Sequence, residues 1–142
     1  GLFENSPFDE RTRQIISKSK MPLGVLIDKD LQQVKNVFIP LFFPEDTFLM
    51  DYCQKLIYNS NANISVLDIN NLVKSNFVMQ SALQSLEDKY PNNMTLLQDR
   101  IMKKEFLAKQ DLMIISLESW KKLVDSQSVW LSNVPSVLIL KP

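Results

Sequence analysis

The sequence predicts a doubly wound α/β fold, a parallel five-stranded sheet with helices on both faces, preceded by an extra N-terminal helix and strand. Three observations predict it. Short apolar runs recur along the chain at Val37–Phe42, Ile64–Asp68, Met94–Leu97, Asp111–Ile115 and Val137–Leu140. Each has the length and the branched or aromatic content of a buried strand. Between them lie segments of helical period, and strands alternating with helices make parallel βαβ units. Right-handed crossovers then place helices on both sheet faces, in a flavodoxin-like or related strand order.

The opening stretch, Leu2 to Lys20, is mostly polar, with a helical patch around Arg11–Ile16. Pro22 ends any helix, because the residue before a proline is pushed to extended geometry. Leu23–Asp28 follows as a strand, and Leu31–Asn36 reads as a polar linker. The first strand of the five contains Pro40, which removes a ladder donor and so is expected where the chain leaves the sheet. Beyond Pro44-Glu45-Asp46, Phe48, Leu49, Tyr52, Cys53, Leu56 and Ile57 form one apolar helix stripe. Glu45 and Asp46 stand where a helix N-terminus favours negative charge.

A second helix is predicted over Asn76–Tyr90, with Phe77, Val78, Met79, Ala82, Leu83, Leu86 and Tyr90 inward and Pro91 as its stop. A third covers Ile101–Ala108, and a brief fourth lies around Trp120–Val124. The boundaries divide the chain into 1–36, an N-terminal helix and strand, and 37–142, the five-stranded domain.

Composition narrows the chemistry. Sixteen basic and sixteen acidic residues cancel over 142 positions, which argues against nucleic acid as a partner. There is no histidine, which removes Ser-His and Cys-His catalysis and imidazole metal ligation. The single cysteine, Cys53, excludes an internal disulfide framework and falls on a buried stripe, as a small core residue does. No apolar run approaches the roughly 20 residues of a bilayer span. The chain opens on Gly1 rather than Met, which reads as a tag scar on an excised domain.

Glycine is scarce: Gly1 and Gly24 are the only two. A phosphate cradle needs close backbone approach and positive φ, which glycine supplies at little cost. The loops at the strand ends lack it, and no cofactor is implied. Candidate ligand residues follow from position alone. Ser116, Glu118 and Ser119 come after the fourth strand, where open α/β sheets bind ligands. Their plainer reading is a polar loop capping a short helix. Asp68 ends the second strand, suited to a ribose contact or, more simply, to a turn. Trp120 and Trp130 read as packing across the short helix or as partner anchors. Asp99-Arg100 reads as a surface ion pair. No pairing of carboxylate, lysine or serine stands out as catalytic, so the chain does not read as an enzyme.

Three segments in order carry a resemblance: Met21-Pro22-Leu23-Gly24-Val25-Leu26-Ile27-Asp28-Lys29, Val37-Phe38-Ile39-Pro40-Leu41-Phe42-Phe43-Pro44-Glu45-Asp46 and Thr95-Leu96-Leu97-Gln98-Asp99-Arg100. Together they resemble the cytosolic C-terminal region of cation/proton antiporters, which is similar to universal stress proteins. The resemblance runs from about Phe8 to Pro142. It implies a universal-stress-protein-like, Rossmann-like fold built of tandem halves. Phe8–Lys20 and Leu23–Asp28 then resemble the last helix and strand of a first half, and 37–142 a complete second half. Universal stress domains often pair their last strands across a dimer, so Leu23–Ile27 is expected beside Val137–Leu140, covering an exposed edge.

The resemblance further implies a regulatory domain at the cytoplasmic face of the inner membrane, without transport chemistry of its own. Its partners would be the transmembrane antiporter domain of the same polypeptide and a second copy, as a homodimer. The alternative is a stand-alone stress-type protein binding ATP or AMP. Against that alternative, Phe42 stands where nucleotide-binding relatives carry an aspartate after the first strand. The glycine set ending in Gly-Ser or Gly-Thr is also missing, where Ser116–Lys122 and Leu131-Ser132-Asn133-Val134 stand instead. Within that alternative Ser132 is the last of the candidate ligand residues.

Overall fold

The computed structural model describes residues 23–98, 103–126 and 129–142, and its strands form one six-stranded sheet in the order β1-β6-β5-β2-β3-β4. The strands are β1 (Leu23–Ile27), β2 (Asn36–Leu41), β3 (Asn63–Asp68), β4 (Met94–Leu96), β5 (Leu112–Ser116) and β6 (Ser136–Lys141). Strands β2 to β6 are parallel, and β1 joins β6 antiparallel. The sheet is therefore six-stranded rather than five-stranded, because the extra strand belongs to it. Among the five parallel strands the order is 3-2-1-4-5, not the flavodoxin order.

The β1–β6 register runs from Leu23 opposite Lys141 to Ile27 opposite Val137. That is the juxtaposition expected from the sequence. Asp28 is not part of the strand: its Oδ1 accepts the Leu31 amide at 2.8 Å and turns the chain. The segment 31–36 is more than a linker, since Leu31 and Val34 pack on the core and β2 already begins at Asn36. The helix expected over Phe8–Lys20 lies outside the described residues.

Pro40 sits inside β2, opposite Leu67 of β3, rather than beyond the strand. Alternate residues of a strand bond to opposite neighbours, and Asn36 turns its carbonyl to the β5 side, accepting from the Asp111 amide. Pro40 shares that side. Pairing with β5 has stopped at Phe38, so the missing donor is not called upon there.

Among the described residues five helices complete the layers: α1 (Leu49–Ser60), α2 (Leu72–Ser75), α3 (Phe77–Lys89), α4 (Lys104–Ala108) and α5 (Leu117–Asp125). A 3-10 turn over Pro44–Phe48 precedes α1, where the sequence suggested helix. Two apolar clusters, one on each face of the sheet, demonstrate the double winding. Val37, Ile39, Leu41, Ile64, Val66 and Ile114 pack with Cys53 of α1, Leu72 of α2 and Met79 and Leu83 of α3. The alternate residues Phe38, Leu67, Met113, Ile115 and Ile139 pack with Leu107 of α4 and Trp120 and Leu123 of α5. Period 2 within each strand is what separates the two sets.

Two local expectations need correction. Phe77 and Val78 do not join the inward stripe of α3; they are 79% and 63% exposed. Helix period explains this: with Met79, Leu83 and Leu86 inward, Val78 and Phe77 fall about 100° and 160° around the helix from Met79, while Asn76 caps the helix by accepting the Met79 amide on its side chain. Helix α5 begins directly after β5, three residues before Trp120, since Ser116 is already its cap. Asp99-Arg100 and the start of the third predicted helix lie outside the described residues, as does the side chain of Trp130. Among the described residues, no helix is long and apolar enough to cross a membrane.

Candidate functional site

In a doubly wound sheet the crevice opens at the carboxyl ends of the strands where the order reverses. Here that is the junction of β2 and β5: the chain leaves β2 for β3 on one side, and β5 lies on the other. Two segments meet there, Phe42–Asp46 after β2 and Ser116–Ser119 at the start of α5.

Asp46 is the centre of the junction. It is 1% exposed, and its carboxylate receives four donors. The Phe42 and Phe43 amides donate to Oδ2 at 2.9 and 3.1 Å. The Ser119 hydroxyl donates to the same oxygen at 2.7 Å, and the Ser116 hydroxyl to Oδ1 at 2.5 Å. Ser116 Oγ also accepts the Ser119 amide at 3.2 Å, capping α5. The local sequence explains the geometry. Pro44 starts the 3-10 turn, the Asp46 amide bonds to the Phe43 carbonyl at 3.0 Å, and this folds the Asp46 side chain back on the amides preceding the turn.

A cleft of about 400 Å³ lies above this junction, lined mainly by Phe43, Phe48, Leu117 and Pro142, with Glu45, Glu118 and Lys141 among its polar groups and Asp46 and Ser116 in its floor. The Lys122 ammonium stands 5.4 Å from the centroid of the Phe43 ring, a cation–π distance.

Of the candidate ligand residues, the structure brings four together and leaves two apart. Ser116 and Ser119 face Asp46. Phe42 is buried and contributes its backbone amide. Glu118 lines the cleft with an exposed side chain and an ion pair to Lys121 at 3.4 Å. Asp68 is turned away: its carboxylate accepts the Leu72 and Val73 amides at 2.7 and 2.9 Å, holding the first turn of α2. The turn-forming reading of Asp68 is thus the one its contacts support. Ser132 lies exposed on a 3-10 turn over Val129–Ser132, accepting from the Asn133 side chain at 3.2 Å, and is not part of the cleft lining.

Sequence reasoning missed Asp46 as a site residue. The signal was its spacing: an acid three residues after the last extended residue is the capping-box position, and such a side chain reaches back to amides rather than out to solvent. Cys53 lies elsewhere, buried in the α1 face of the core; burial pushes its thiol up to about 12. Among the described residues, no group of histidine, cysteine or carboxylate side chains is arranged to hold a metal ion.

Chemically, the donors that converge at the junction are spent on the chain's own Asp46 carboxyl group. The two serine hydroxyls are 3% and 0% exposed and both donate to Asp46, so neither is presented to the cleft as a nucleophile. Compared with protein-family models, with curated proteins and with solved structures, the chain matches none of them.

Proposed function

We propose that this chain is a cytosolic regulatory and interaction domain of a monovalent cation/proton antiporter, with no transport chemistry of its own. The observation that carries the reading is the antiparallel pairing of β1 with β6, Ile27 opposite Val137 through Leu23 opposite Lys141. A strand contributed by a preceding stress-type half, laid against the last strand of the following half, is what a tandem fused version of a stress-protein dimer requires. It is the geometry anticipated from the three segments that resemble antiporter tails. The filled junction at Asp46 adds support, because it suits a domain that acts by contact rather than by nucleotide turnover. In this reading the partners are the transmembrane part of the same polypeptide and a second copy of the domain, at the cytoplasmic face of the inner membrane.

The test is the native reading frame upstream of the codon for Leu2, followed by antiport measurements. About a dozen apolar spans of bilayer length are expected there, and removing the domain should change the cation or pH dependence of antiport in inverted vesicles. A start codon close to Leu2 would overturn the reading.

The cleft at the strand ends favours a second reading, a stand-alone nucleotide-binding protein. Calorimetry with ATP and AMP separates the two. Saturable binding that is lost on Glu118→Trp, a substitution in the cleft lining, supports the second, and no heat argues against it.

A further inference from the structure

We infer that the β2–β5 junction is a complete seat for a small oxyanion, and that Asp46 is the anion built into it. The donor set is that of an anion site rather than of an ordinary cap. Two successive backbone amides, Phe42 and Phe43, and two hydroxyls, Ser116 and Ser119, converge on one carboxylate. They come from two different segments, 70 or more residues apart in sequence, meeting at the place where doubly wound sheets hold the anionic part of a ligand. Burial penalises a bare carboxylate, and the four donors are what make one tenable there, whereas any one of these donors left without an acceptor would be costly.

The scarcity of glycine therefore does not leave the junction without donors. The seat is formed without glycine because its occupant is covalently attached and arrives at a fixed distance along the 3-10 turn. The consequence is specific: the domain is closed to phosphates and carboxylates by occupancy. Removing the Asp46 side chain beyond Cβ vacates a space the size of a formate ion, beneath a cleft that gives solutes access. The inference does not depend on the antiporter reading, since it concerns the donors alone.

The experiment is chemical rescue of Asp46→Ala, followed by thermal unfolding in sodium formate and in sodium phosphate against sodium chloride of equal ionic strength. Asp46→Ala should melt well below the native chain in chloride and regain about 3–6 °C in saturating formate. The native chain and Asp46→Asn, whose seats are filled, should respond to formate no more than to chloride. Rescue by phosphate as well as formate would set the seat's size at a phosphoryl group; rescue by formate alone would set it at a planar carboxylate. Both support the inference. If Asp46→Ala is unfolded in chloride, formate should restore its circular dichroism. A folded Asp46→Ala indifferent to both anions would overturn the inference. So would an unfolded one that neither anion restores while Asp46→Asn folds, or a formate response equally large in Asp46→Asn.

Discussion

Asp68 separates a ligand residue from a structural one, and its substitution can be worked through from the contacts. Its carboxylate sits 8% exposed at the end of β3 and accepts the Leu72 amide on Oδ1 and the Val73 amide on Oδ2. These are first-turn donors of α2, which have no partner within the helix. Asp68→Ala removes both acceptors. The Leu72 amide is buried and is left without water or protein, a loss of about 1–3 kcal/mol. The Val73 amide is only partly buried and rehydrates, so its loss is about 1 kcal/mol. The sum is about 2–4 kcal/mol, a fall in Tm of about 6–12 °C for a domain of this size. Asp68→Asn keeps an oxygen for Leu72 but turns an amide group toward Val73, at a cost of about 1–2 kcal/mol. Urea unfolding followed by circular dichroism should rank the native chain above Asn and Asn above Ala, with an unchanged m-value. An Asp68→Ala melting within about 2 °C of the native chain would refute the reasoning and return Asp68 to the list of groups kept for a ligand.

Ile114, fully buried in the central β5, should lose about 2–5 kcal/mol on truncation to alanine, read by denaturant unfolding. Phe77→Gln should leave stability within about 0.5 kcal/mol of the native chain in the same assay, because the ring is 79% exposed. Cys53 should resist a soluble disulfide reagent at pH 8 in the native state and react at once in urea. Its thiol is held neutral in the fold by burial, up to about 12 against 9.0 for the unfolded chain. The sign follows: below pH 9 the thiol is protonated in both states and the stability is intact. Above it the unfolded state ionises first, so stability falls by about 1.4 kcal/mol per pH unit toward pH 12. Cys53→Ala should lack that component of the alkaline decline.

The layers were legible because both periods are strong in this chain. Phe38, Met113, Ile115 and Ile139 alternate with Val37, Ile39 and Ile114 so strictly that the two faces of the sheet can be separated from the residue order. What the periods do not carry is phase at the helix ends. Phe77 and Val78 are apolar but adjacent to Met79 in sequence, and at about 100° per residue all three cannot share the face that Met79, Leu83 and Leu86 define. The short α2 was illegible for a related reason: at four residues it has no period, and it exists because Asp68 holds its first amides. Strand order was open as well, since 3-2-1-4-5 and the flavodoxin order satisfy the same alternation and differ in where β4 lies, at the edge beside β3 here and between β2 and β5 in the flavodoxin order.

The site was half legible, and the missing half changes its meaning. Ser116 and Ser119 were found because position after a parallel strand is a rule of topology, blind to what the residues face. Asp46 was passed over because an acid near a helix start has an ordinary explanation in the helix dipole. A dipole alone would leave such a side chain at the surface, however, and Asp46 is 1% exposed with hydroxyls from a segment beyond residue 115 closing over it. Absence of glycine and presence of Asp46 are therefore one fact. Where the anion is part of the chain, the backbone need not approach a free phosphate, and side-chain hydroxyls from α5 complete the coordination that a glycine loop would otherwise supply. The same bonds tie the loop after β2 to the start of α5, so the junction that serves other doubly wound folds as a binding crevice serves here as a clasp between the sheet's two halves.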